Sequence, residues 1–160
     1  TAVLLEGFAG LDPTVYFDGE LWWLFVGGPD LKVDRLFAFF AKKPTGPWKP
    51  HAHNPIVQTA ARRSRPGGAI FVYEGKPHRP AQYGFRCYGY GLLVYRIDEL
   101  TPSTYRETLV HIQVPNPTWP FADGIHHLSH SRGRWVIDAK NHVRAIRPSP
   151  PTGSIVLDEH

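Results

Sequence analysis

The sequence predicts an all-β, propeller-like protein of about three four-stranded antiparallel blades, in a ring that is incomplete or completed by a partner. Three observations carry this expectation. The 16 Pro and 15 Gly among 160 residues demand many turns and short elements rather than long helices. Three strand–turn–strand patterns centre on Gly19, Gly75 and Gly133, which are 56 and 58 residues apart, as in repeated sheet units. Trp22 and Trp23 are adjacent and so point to opposite faces of one strand. A sheet with large apolar groups on both faces is covered on both sides, as stacked blades are.

The chain is read as one domain, 1–160, with repeat units of 12–65, 66–122 and 123–160. A repeat of about 57 residues fits about 2.8 times into 160, fewer than the roughly four to eight blades of a closed ring. Apolar residues make up 42% and charged residues 20%, ordinary for a globular protein able to bury a core without disulfides. The lone Cys87 has no disulfide or zinc partner and reads as a small buried hydrophobe. The net charge of +4 is spread over several segments, which argues against nucleic acid, whose partners cluster their cations. No apolar run approaches the roughly 18 residues of a membrane span, and the first residues lack the basic start of a signal peptide. The expectation is a soluble protein of unspecified compartment.

In chain order, residues 1–11 form a strand or loop leading to Asp12-Pro13. Residues 14–17 and 21–26 are β-rich and joined by Asp18-Gly19, a strong hairpin signal. Residues 35–41 are an apolar run that reads as a strand, with a short helix as the competitor. Residues 44–48 are a turn, 49–55 are irregular, and a basic stretch at 62–65 ends in Pro66-Gly67-Gly68. Residues 69–73, the turn Glu74-Gly75 and residues 76–82 repeat the first hairpin. Residues 89–97 form a strand, 98–102 a turn, and 105–114 another strand. Pro115, Pro117 and Pro120 stiffen the next connection. Residues 125–130, the turn 131–133 and residues 134–138 make the third hairpin. The tail is Pro-rich, with a further strand expected at 154–157.

Several ordered motifs carry a family resemblance. They are Asp12-Pro13-Thr14-Val15-Tyr16-Phe17-Asp18-Gly19, His53-Asn54-Pro55-Ile56-Val57, Arg65-Pro66-Gly67-Gly68, Arg79-Pro80-Ala81-Gln82, Tyr88-Gly89-Tyr90-Gly91, Tyr95-Arg96-Ile97-Asp98, Tyr105-Arg106-Glu107, Gly124-Ile125-His126-His127-Leu128 and Val136-Ile137-Asp138. Together they resemble the five-bladed β-propeller of family-43-like glycoside hydrolases. The nearest likeness is to the N-terminal propeller domain of glucosamine inositolphosphorylceramide transferases and bacterial relatives. Only about the last three blades are matched. The chain departs from the family where Asp138 is followed by Ala139-Lys140 instead of a glycine.

The resemblance implies glycan chemistry. Hydrolysis of a glycosidic bond uses two carboxylates, one as acid and the other as base or nucleophile. By the resemblance, Asp12 is the base, Glu107 the acid and Asp138 a third acidic group. Each also has a plain alternative: Asp12 as a turn cap before proline, Glu107 as an exposed strand residue, Asp138 as a strand-end salt-bridge partner. Arg65 and Arg79 offer forked donors to sugar hydroxyls or anions, or hold a carboxylate ionised. Gln82 is a sugar contact or a backbone-satisfying amide.

Counting back seven residues from each hairpin glycine reaches Asp12, Gly68 and His126, so these share one inner-strand position beside a common cavity. Arg79, following the second hairpin, is expected to face that cavity. His126 and His127 alternate in direction and cannot both chelate one ion without a bulge, so no metal and no cofactor is expected. His126 is the better candidate for a ligand contact, with His127 beside it.

The leading functional reading is a glycan-active protein, a glycoside hydrolase or a domain associated with glycosyl transfer. The alternative is a non-catalytic carbohydrate-binding or assembly module with an incomplete cavity. The partners expected are a carbohydrate and a second copy completing the ring. A weaker reading is a basic surface for an anionic polymer.

Overall fold

The computed structural model describes residues 3–30, 33–59, 64–84 and 87–141. It is all-β, with eleven strands and no helix among the described residues. The strands form three separate antiparallel sheets in an open series, consistent with an incomplete propeller-like arrangement. The strand expected at 154–157 and the arginines at 62 and 63 lie outside the described residues.

The first sheet runs β1 (Leu11–Phe17), β2 (Trp22–Gly27), β3 (Asp34–Ala41) and β4 (Lys49–Pro50), with β5 (Val57–Thr59) also on β3. Its hairpin is closed by Asp18, whose carboxylate accepts from the Glu20 and Leu21 amides, each at 2.7 Å, and from Trp23 Nε1 at 2.6 Å. Those donors hold the Asp18 pKa below its ordinary value although burial alone would raise it. Residues 34–41 are strand, not helix: Leu36 and Ala38 face one side, Phe37 and Phe39 the other, the period-two alternation of a pleated strand.

Both faces of this sheet are covered, as the paired tryptophans require. Trp23, Phe25, Leu36 and Ala38 are fully buried toward the second sheet, where Ile97 joins them. Full burial of each such large side chain contributes about 1.5–3 kcal/mol. On the other face Phe8 packs edge-on against Phe37 and Phe39. Asn54 fills the gap between β4 and β5 by imitating a strand: its side chain accepts from the Ala38 amide at 2.9 Å and donates to the Ala38 carbonyl at 2.7 Å.

The second sheet runs β6 (Phe71–Tyr73), β7 (Lys76–Tyr83), β8 (Gly91–Leu100) and β9 (Tyr105–Gln113). The turn expected at 98–102 begins later, at Thr101, because β8 stays paired with β9 through Glu99–Arg106 and Leu100–Tyr105, past an irregularity at Asp98. Thr101 closes the turn by donating to the Thr104 carbonyl and accepting from the Thr104 amide. β8 is covered on both faces. Ile97 enters the first core, while Leu92 and Val94 enter a second with Phe71, Ile125 and Leu128.

The third sheet is the hairpin β10 (Gly124–Ser131) and β11 (Arg134–Lys140), with β10 packed on β7 and β8. Cys87, expected in the core, is exposed. Residues 87–90 form a turn leading into β8 rather than a strand interior.

Candidate functional site

The inner strand of every sheet is interrupted at the same place. In the first, Asp12 and Pro13 stand opposite Val26 alone, between the pairs Leu11–Gly27 and Thr14–Phe25. In the third, His126 and His127 stand opposite Asp138 alone, between Ile125–Ala139 and Leu128–Ile137. In the second, residues 67–70 stand opposite Arg79 and Pro80, between Pro66–Ala81 and Phe71–His78. Bulges re-aim side chains and recur beside functional sites. Here they fall on Asp12, Gly68 and His126, the three positions that the hairpin spacing aligns. Asp12 has φ 50°, a left-handed conformation that Asp tolerates better than most residues.

The three interruptions lie side by side. Thr14 Oγ1 donates to the Gly68 carbonyl at 3.2 Å. On the far side, the Leu128 amide donates to the Gly67 carbonyl at 2.9 Å, and Gly68 bridges Leu128 in parallel. A Cβ at Gly68 would sit 1.9 Å from the Leu128 carbonyl oxygen, and its φ is +138°, so glycine is required there.

Asp12 anchors the first group of polar residues. Its Oδ2 accepts from Arg65 Nε and, at 2.7 Å, from Gln82 Nε2. Gln82 also donates to the Pro66 carbonyl at 2.8 Å and is buried. The Arg65 and Asp12 side chains keep 26% and 33% of their surface exposed, enough for a ligand to reach both. Arg65 and Gln82, the two donors to Asp12, line a cleft of about 250 Å³ together with Asp34, Gly84 and Tyr88.

The third hairpin supplies a second group. Asp138 Oδ1 accepts from the two amides freed by the bulge, His126 at 2.7 Å and His127 at 2.6 Å. His126 Nδ1 lies 3.8 Å from Asp138 Oδ2, and its ring packs on Tyr88 with centroids 4.8 Å apart. Tyr88 joins the two groups: Arg65 lies 5.7 Å and Lys140 5.9 Å from its ring centre, and Lys140 Nζ donates to its carbonyl at 2.6 Å. The His127 side chain is exposed and bonds Ser129. No group of three or more metal-ligating side chains occurs among the described residues.

Arg79 and Glu107 stand elsewhere. Arg79 is three positions from Gln82 along the regularly paired β7, and so on its opposite face. It is buried, and its fork meets both oxygens of Glu107, Nε to Oε2 at 2.9 Å and Nη2 to Oε1 at 2.7 Å. Its Nη1 donates to the Ser64 carbonyl at 2.9 Å, and its guanidinium lies over Tyr95 at 4.9 Å. Tyr105 donates to Glu107 Oε2 at 2.5 Å. Burial by itself would lower the Arg79 pKa, but the Glu107 charge more than offsets it and the pKa is raised. Burial pushes the Tyr105 phenol up. Arg79 therefore does not face the cavity beside Asp12 and His126.

Of the expected residues, the fold brings together Asp12, Arg65, Gln82, His126 and Asp138, with His127 at the margin. It sets Arg79 with Glu107 between the first and second sheets. Tyr88 and Lys140 complete the first assembly. Tyr88 was legible as part of an aromatic and glycine-rich run, whereas nothing local marks Lys140, which reaches Tyr88 from 52 residues away.

Comparison with known proteins identifies a family. The family described as glucosamine inositolphosphorylceramide transferase 1, N-terminal, matches residues 11–131. Glucosamine inositolphosphorylceramide transferase 1 of Oryza sativa subsp. japonica is 35% identical over 106 residues, 62% of this chain and 14% of that protein. The Arabidopsis thaliana protein of the same name is 33% identical over 107 residues, with the same coverage. The match thus spans about a seventh of each relative's length. No solved structure matches. The matched segment runs from the first inner strand to the end of β10, and on that span the chain belongs to the glucosamine inositolphosphorylceramide transferase 1 N-terminal family.

Proposed function

We propose that this chain is a glycan-binding unit associated with glycosyl transfer, part of a propeller of the family-43-like type, and that its ligand sits at Asp12, Arg65, Gln82, His126 and Asp138 beside Tyr88. The likeness to relatives named as transferases supports a glycan-related role. The observation that carries the preference for binding over hydrolysis is the Arg79–Glu107 pair. A general acid must hold a proton and release it to the leaving oxygen. Glu107 has both oxygens engaged by the buried Arg79 guanidinium between the first and second sheets, away from the Asp12 cluster, so it is not placed to hand a proton to a leaving oxygen there.

The Asp12 cluster suits recognition. A carboxylate, a guanidinium and an amide converge beside a cleft, and an exposed tyrosine ring is held by His126 and two cations. Concave sites with a few oriented polar groups and an aromatic wall are the usual form of small-ligand sites. His127 stands at the rim as an accessory contact.

The experiment is a glycan array probed with the labelled full chain, followed by turnover assays on every sugar bound. Binding without turnover is expected, lost in Asp12→Asn and kept in folded Glu107→Gln. Turnover abolished by both Asp12→Asn and Glu107→Gln would instead establish the hydrolytic reading, with those two as the carboxylate pair and Asp138 as the third acid.

A further inference from the structure

The first two sheets show how one sheet covers the next. Ile97, Leu100 and Tyr105, from the outer strands β8 and β9, pack over Trp23, Phe25, Leu36 and Ala38 of the first sheet. Among the described residues, the third sheet repeats only the inner half of this arrangement. Ile125 and Leu128 cover Phe71, Leu92 and Val94, and beyond β11 a groove of about 630 Å³ remains between the hairpin and the second sheet. Val94 and Val110, with Arg96 and His111 beside them, lie on one side, and Leu128, Trp135 and Ile137 on the other.

Among the described residues, nothing covers the middle of the hairpin's outer edge. Among the described residues β11 pairs with β10 alone. Trp135, Val136 and Ile137 carry neither charge nor proline, the usual devices against edge pairing. Val136 is 65% and Trp135 49% exposed.

We propose that this edge and groove form a homodimer interface, in which β11 pairs antiparallel with β11 of a second copy about a two-fold axis at Val136. The result is a four-stranded sheet, β10–β11 followed by the partner's β11 and β10, matching the strand number of the second sheet. Charge selects the register. Centred on Val136, Arg134 stands opposite the partner's Asp138 and Asp138 opposite the partner's Arg134, a favourable cross-strand pair made twice. Centred one residue later, Arg134 would stand opposite the partner's Lys140.

The side-chain faces agree with that register. Trp135 and Ile137 share the face that lines the groove, and each stands opposite the other's copy across the axis. Trp135 and Ile137 of the two copies therefore extend over Val94 and Val110, as β8 and β9 continue the cover of the first sheet. Asp138 has 54% of its side chain exposed, so it can take the partner's arginine while its Oδ1 keeps the His126 and His127 amides. The contact is isologous, the common form for a symmetric dimer.

The test is sedimentation equilibrium of the full chain over a wide concentration range. A monomer–dimer equilibrium built on the 18.1 kDa chain is expected. Val136→Lys, which sets like charges face to face on the axis, should weaken it by at least roughly tenfold while leaving the circular dichroism unchanged. In a Cys87→Ser background, Val136→Cys should form a covalent dimer on mild oxidation and Arg134→Cys should not, because only residue 136 faces its own copy. A chain that stays monomeric at every concentration, a dimer indifferent to Val136→Lys, or equal crosslinking from positions 134 and 136 would overturn the proposal.

Discussion

Arg79 and Glu107, 28 residues apart, meet fork to fork between two sheets, with the arginine side chain 1% and the glutamate 10% exposed. A bidentate pair at that depth fixes both planes at once. Removing one partner strands a charge that cannot reach water, so Glu107→Gln should destabilise the fold by about 3–5 kcal/mol in urea unfolding. The double variant Arg79→Met with Glu107→Leu should recover much of that loss, because well-packed apolar replacements leave no buried charge.

The Asp18 carboxylate closes the first hairpin. Asp18→Ala leaves the buried Trp23 indole N–H without its acceptor, which should cost about 1–3 kcal/mol. The sign of the pH effect follows from the depressed pKa. The wild-type advantage over Asp18→Ala is fully present above the unfolded carboxyl value of 3.8 and is lost as pH falls through the lower folded value. Melting curves of both proteins across the acid range should converge.

His51 behaves in the opposite sense. Burial, with the neighbouring His53 adding to it, lowers its pKa below 6.5. The unfolded chain then takes up a proton that the folded chain resists, so stability is unaffected above 6.5 and declines as pH drops below that value. A His51→Gln variant should lose this part of the acid sensitivity in a pH series of melting temperatures; an unchanged slope would assign the sensitivity to other groups.

Gly68 is where the three inner strands touch. Gly68→Ala places a methyl carbon on the Leu128 carbonyl and forces a left-handed conformation at a residue with a side chain, at least about 1–3 kcal/mol of strain. Hydrogen exchange should show the loss concentrated in β10 and β11, with the first sheet protected as in the wild type.

The hairpins were legible because their signals are local: Asp18-Gly19, Glu74-Gly75 and Arg132-Gly133 adopt the positive φ values a tight turn needs at either or both positions. The shared inner position of Asp12, Gly68 and His126 was legible from spacing alone, and the bulges there explain how Asp12 is turned toward Arg65. The partner of Arg79 was not. Two irregularities along β8 and β9 set Glu107 opposite Ile97, and a bulge count cannot be read from alternation. Asn54 was visible within His53-Asn54-Pro55, yet its part in standing in for a strand depends on β3, which lies 16 residues back.

The proposed sugar site is the cleft lined by Arg65, Gln82 and Tyr88, beside Asp12. Calorimetric titration of the strongest array glycan into the full chain tests it most directly. One saturable site is predicted, weakened at least roughly tenfold by Arg65→Gln, since loss of a charged hydrogen-bond donor costs about 1.5–3 kcal/mol. The melting temperature should stay near that of the wild type. Equal affinity in Arg65→Gln, or no binding by any glycan on the array, would rule out a sugar site at Arg65.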